Sequence, residues 1–156
     1  MTDPDPTVVV ADADVLAADL LVGGDARAAL DHVRRHSWLT LVASDALLDD
    51  AEATIAALAD DALAADWRAR IEREREPVNH PPEDHPGLAS AYRAGAAHLL
   101  TYDDDLRAAE TGLSLQPYQG LSVRPPDAFA AVFDAESLYE ATQEGEYPGP
   151  DRDPRA

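Results

Sequence analysis

TVVVADADVL, residues 7–16, sets a β-branched apolar run directly against two aspartates. The run Thr7–Ala11 reads as a buried strand. Asp12 stands at its carboxyl end. Val15, Leu16, Asp19 and Leu20 then begin a helical spacing that Gly23-Gly24 stop. What decides the fold is whether the rest of the chain repeats this strand-then-helix unit.

It does. Asp25 is the expected cap of a second helix carrying Ala29, Leu30 and Val33, with Arg34-Arg35 near its end, where cations suit the helix dipole. Trp38–Ala43 (WLTLVA) reads as a strand. Ser44 is an N-cap for a helix to about Ala59, with Leu47, Leu48, Ala51, Ile55 and Leu58 on one face. Asp60-Asp61 opens another helix, with Leu63, Trp67 and Ile71 inside, which ends in the solvent-facing EREREP. Residues 77–86, PVNHPPEDHP, carry four prolines and read as a loop. A short helix over 87–94 is closed by Gly95. A strand over 96–101, a helix over 103–110, a strand over 121–123 and a helix opened by Pro125-Pro126-Asp127 complete the series. The alternation predicts an α/β fold, a three-layer α/β/α sandwich around a mainly parallel sheet of four to five strands. Residues 1–144 form the expected domain, and 145–156 (GEYPGPDRDPRA from Gly145) an acidic, Pro-rich tail expected to be disordered.

Composition narrows the function classes. Thirty-one acidic residues against twelve basic ones give a net charge of -19, and all twelve basic residues are arginine. Such a field repels nucleic acid in dilute buffer. It also suits a high-salt cytoplasm of the haloarchaeal type, where a Debye length of ~3 Å at 1 M salt screens the repulsion. On that reading the charge does not exclude a nucleic-acid substrate. The chain has no cysteine, hence neither disulfides nor thiolate metal sites. No apolar run approaches the ~20 residues of a membrane span, and MTDPDPT has no basic n-region. A cytoplasmic location is expected.

A parallel sheet puts all strand carboxyl ends on one edge, and ligands bind there. Asp12 and Asp103, in TYDDDL (101–106), share that edge. If they and a third acid meet within about 5 Å, three like-charged pairs cost roughly 10 kcal/mol at an effective dielectric of ~20. Such a group protonates in part or holds a cation. All-oxygen donors suit Mg2+ or Mn2+, and the chemistry is metal-assisted phosphodiester hydrolysis. The plainer reading of both residues is a helix N-cap on a solvated acidic face.

From Val8 to Phe133 the chain resembles the PIN-domain nucleases, metal-dependent ribonucleases that include many toxin–antitoxin toxins. VVVADADVL (8–16) is similar to the family's opening strand, with Asp12 on its first catalytic Asp and Asp14 on an Asn. SDALLDDAEATIAAL (44–58) resembles the segment in which a Ser begins a helix bearing the second acid. Asp50 falls on that acid, usually a Glu, with Asp49 and Glu52 as neighbouring substitutes. DHPGLASAYRAGAAHLLTYDDDL (84–106) resembles the family's later motif, with Asp103 and Asp105 on its two final acids. LSVRPPDAF (121–129) is similar to its closing strand and helix start. His85 stands at the third acid position with Asp84 just before it, and Tyr102 stands where a Gly is usual. The resemblance implies a magnesium- or manganese-dependent ribonuclease. Its catalytic residues would be Asp12, Asp50 and Asp103, and its metal ligands Asp12, Asp50, Asp84, Asp103 and Asp105. RNA would be the substrate, and an antitoxin-like protein or a second copy the possible partner. The alternatives are a degenerate domain that binds RNA or protein without turnover, or an interaction subunit.

Overall fold

A computed structural model describes residues 4–110 and 120–155, with backbone only for 108–110. The elements in chain order are β1 (Asp5–Ala11), α1 (Ala13–Leu21), α2 (Gly24–Arg34), β2 (Thr40–Ala43), α3 (Asp45–Leu58), α4 (Asp61–Glu74) and β3 (Glu76–Pro77). There follow α5 (Pro86–Ala94), β4 (Ala96–Leu100), α6 (Asp104–Glu110), β5 (Ser122–Arg124), α7 (Pro126–Val132) and α8 (Ala135–Thr142). All strand pairs are parallel, in the order β3-β2-β1-β4-β5. The fold is an α/β, three-layer sandwich.

β1 is central because Val9, Val10 and Ala11 are apolar on both faces and are fully covered. Val9 pairs with Leu41 of β2 on one side and with His98 of β4 on the other. From β1 the chain builds outward to β2 and β3, then returns to place β4 on β1's free side. The strand order therefore reverses between β1 and β4, and in open parallel sheets ligands bind at the carboxyl ends beside such a reversal. The core combines Leu16, Leu30, Leu47, Leu48, Ile55, Ile71, Leu99 and Phe129 under the helices.

The caps explain most of the boundaries. Ser44 Oγ accepts the Leu47 N–H, and Asp60 caps α4 through the Leu63 N–H. Asp25 lies inside the first turn of α2, and Gly23 takes the cap position instead with φ of 80°, a backbone conformation open to glycine. The EREREP end is not wholly a solvated helix. Glu76 and Pro77 leave it and pair with Val42 and Ala43 as a two-residue edge strand, where a proline's missing N–H costs the ladder nothing on its open side.

The segment from Gly145 onward, expected to be disordered, instead lies against the end of α2. Tyr147 meets His36 (Oη to Nε2, 2.7 Å), Asp151 N–H donates to the Arg35 carbonyl (2.9 Å), and Asp151 Oδ1 accepts the Ser37 N–H (2.8 Å). Arg152 donates to the His36 carbonyl, and Arg155 pairs with both Asp31 oxygens. The carbonyls at a helix end have no partner within the helix and attract donors. α8, which no strong sequence pattern announced, brings Tyr139 against Trp38 at 5.2 Å between ring centres. Residue 156 of the tail lies outside the described residues. Among the described residues, no helix is long and apolar enough to cross a membrane.

Candidate metal centre at the sheet switch point

β1 and β4 are hydrogen-bonded neighbours to their last residues: the Asp12 N–H donates to the Leu100 carbonyl at 2.8 Å. The residues that follow each strand are thereby brought together. Asp12 Oδ1 accepts the Ala13 N–H (2.9 Å), the cap of α1. Its Oδ2 accepts the Thr101 hydroxyl (2.9 Å), and the same Thr101 oxygen accepts the Asp103 N–H (3.0 Å). Thr101, completely buried, thus ties the two aspartates. Asp14, in the first turn of α1, accepts the Tyr102 N–H on Oδ2 (3.1 Å).

Asp103 caps α6 with Oδ1, which accepts from the Asp105 and Leu106 N–H groups. Its Oδ2 accepts nothing among the described residues. The N-cap reading and the site reading are therefore compatible. Each aspartate spends one oxygen on its helix, and the carboxylates still crowd.

The crowding has an electrostatic signature at Asp14. Its pKa is raised, first by burial of the carboxyl group and then by the charges of Asp12 and Asp103. The residue as a whole is exposed.

Neutralisation sets this group apart. Asp19 and Asp31 are buried to 6% and 8% exposure, and both pair with Arg34. Asp45, Asp49 and Glu52 converge on Arg68. Asp12 is just as buried, at 8% exposure, yet among the described residues no arginine pairs with it, with Asp14 or with Asp103. Its only basic neighbour among the described residues is His85, with Nε2 3.9 Å from Asp12 Oδ2. His85 Nδ1 accepts the Leu88 N–H at 3.2 Å, capping α5. A nitrogen that accepts carries no proton, so the neutral ring turns an Nε2–H toward Asp12.

The expected ligands do not all gather. The Asp12 carboxylate and the Asp103 backbone are linked through Thr101. Asp105 enters through its backbone, as a partner of the Asp103 cap, and its side chain is exposed. Asp84 is exposed in the turn before α5, with its N–H on the Pro81 carbonyl. Asp50 is exposed on α3, and among the described residues nothing ties it to Asp12. At 3.6 residues per turn it lies on the flank opposite Asp45, Asp49 and Glu52. The substitutes considered for it, Asp49 and Glu52, are held by Arg68. Tyr102 turns outward, 42% exposed, and contributes its N–H rather than a ring.

The oxygen donors have the right chemistry for a hard cation. Among the described residues, no three or more His, Cys, Asp or Glu side chains are grouped closely enough to hold one. Magnesium keeps several waters and takes one or two carboxylates, a demand that Asp12 and Asp103, with Asp14 beside them, can meet.

Three residues escaped the sequence reading. Asp14 looked like an Asn substitute rather than a third carboxylate. Gly87 is a site residue because a Cβ there would stand 2.8 Å from Asp12 Oδ1. His80, without a motif, bonds Ser44 at the end of β2. Only its place in the Pro-rich loop could have marked it.

A family model described as "Family of unknown function (DUF7384)" matches residues 3–155, the docked tail included. No curated protein and no solved structure matches the chain.

Proposed function

Proceeding from a chain that belongs to the DUF7384 family, we propose that it is a PIN-like, metal-dependent ribonuclease that hydrolyses RNA phosphodiester bonds at the β1/β4 switch point. One observation carries the reading. Among the described residues, Asp12 is buried beside Asp14 and Asp103 with no arginine to neutralise it, whereas the other buried acids, Asp19 and Asp31, are paired. A buried, uncompensated carboxylate group is stable when a cation joins it.

Asp12 and Asp103 would hold Mg2+ or Mn2+, and Asp14 would add its negative charge beside them. The bound metal supplies a water of lowered pKa and offsets the charge that develops on the phosphate. Thr101 keeps Asp12 and Asp103 in register. His85, through its Nε2–H, donates to a phosphate oxygen placed over Asp12. Asp50 and Asp84, free of arginine, are the acids that could approach when RNA binds. An RNA substrate fits the cytoplasmic location expected above.

The test is Mn2+ titration by calorimetry together with cleavage of a fluorescent RNA in molar KCl, with wild type, Asp12→Asn and Asp103→Asn. Wild type should bind and cut, and each variant should lose at least tenfold in rate. A wild type that cuts no faster than a variant carrying both substitutions ends the enzyme reading. A second reading, RNA binding without turnover, is favoured by one observation: a histidine caps α5 where the resemblance places an acid. It predicts RNA retention with no cleavage at any Mn2+ concentration.

A further inference from the structure

The loop between β3 and α5 is short of anchors. Prolines at 77, 81, 82 and 86 lack an N–H. The one backbone bond inside the loop joins Asp84 N–H to the Pro81 carbonyl. Yet this loop delivers Asp84 and His85 to the carboxyl edge of the sheet, where Gly87 packs on Asp12.

A side chain supplies the missing anchor. His80 Nδ1 lies 2.8 Å from the Pro81 carbonyl oxygen, and Nε2 lies 2.8 Å from Ser44 Oγ. A carbonyl oxygen only accepts, so Nδ1 carries the proton. Nε2 of the neutral ring then accepts, and the Ser44 hydroxyl donates to it. Ser44 Oγ meanwhile accepts the Leu47 N–H at 3.1 Å. The bonds run in one direction, from Leu47 through Ser44 and His80 to Pro81, and each group is satisfied. Ser44 is 3% exposed and sits where β2 turns into α3. It is a fixed point on the strand next to β1.

We infer that His80 is a positioning residue: its hydrogen bond to Ser44 clamps the loop over residues 78–85 to the end of β2 and so sets where His85 stands beside Asp12. The functional part of this inference rests on the nuclease reading; the clamp itself does not. Capping α3 needs only the Ser44–Leu47 bond, so the bond to His80 serves the loop.

The experiment compares full-length wild type, His80→Ala and His80→Gln. The glutamine amide oxygen can take the place of Nε2 and accept the Ser44 proton. Hydrogen exchange by mass spectrometry reads the amides of residues 78–89, calorimetry reads Mn2+ affinity, and RNA cleavage separates kcat from KM. His80→Ala should speed loop exchange about fivefold, the factor that one ordinary hydrogen bond contributes. The Mn2+ Kd or the KM should rise by a similar factor, and His80→Gln should restore both. Unchanged loop exchange in His80→Ala, or a glutamine variant no better than alanine, overturns the clamp. A lowered urea midpoint with both Mn2+ affinity and KM unaltered overturns its link to the site. If wild type neither binds Mn2+ nor cuts RNA, the nuclease reading falls, and loop exchange still decides the clamp on its own.

Discussion

Replacing Gly87 by alanine probes the packing around Asp12 without touching a charge. Gly87 lies in the first turn of α5, and its added Cβ would stand 2.8 Å from Asp12 Oδ1 and 3.1 Å from Cγ. Carbon and oxygen do not approach that closely, so one side must move. Asp12 cannot easily do so, because one oxygen holds the Ala13 N–H and the other the Thr101 hydroxyl. Overpacking of this kind costs ~1–3 kcal/mol. Alanine in place of glycine returns ~0.4–1 kcal/mol by restricting the unfolded chain. The net loss is then about 1–2 kcal/mol, and each kcal/mol moves the Tm of a domain this long by about 2–4 °C. Urea unfolding followed by circular dichroism at fixed KCl measures it. The decisive control is the cycle with Asp12→Ala, which removes the clashing oxygen. In that background Gly87→Ala should be neutral or stabilising. Equal effects in the two backgrounds would refute the claimed contact.

Arg34→Met should cost about 3–5 kcal/mol in urea unfolding, since it strips a shared cation from buried Asp19 and Asp31; a loss below about 1 kcal/mol would contradict this. His98 has its pKa lowered by burial and by Arg124. The unfolded chain therefore takes up that proton first, and stability should fall as pH drops through ~6.5. His98→Gln should flatten that part of the curve in urea titrations between pH 5 and 7. Deleting residues 146–156 removes the Arg155 contact with α2 and the Tyr147 and Asp151 contacts with His36 and Ser37 just after it. It should lower stability by about 2 kcal/mol, at ~1 kcal/mol for a buried hydrogen bond and less for exposed ones. An unchanged Tm after that deletion would mean that the tail contributes nothing.

Local chemistry made much of the chain legible. The apolar run at 7–11, the Ser44 and Asp60 caps and the Gly95 stop each act within a few residues, and the elements begin and end close to where those residues predict. β3 was hidden because two residues leave no periodicity, and their strand state comes only from β2 beside them. The tail was misread for a related reason. Its prolines and acids forbid a core of its own, and its order is borrowed from unpaired carbonyls at the end of α2.

The candidate site divides along the same line. That Asp12 and Asp103 each follow a strand and cap a helix is written in residues adjacent to them. That β1 and β4 are neighbours, that Thr101 bridges the two acids, and that Arg34 and Arg68 neutralise other carboxylates but leave these three alone, is not. Those relations join positions some 90 residues apart at the extreme. Short-range propensity determines an element and its ends, whereas the order of strands in a sheet and the partner of each charge emerge only when the whole chain packs at once.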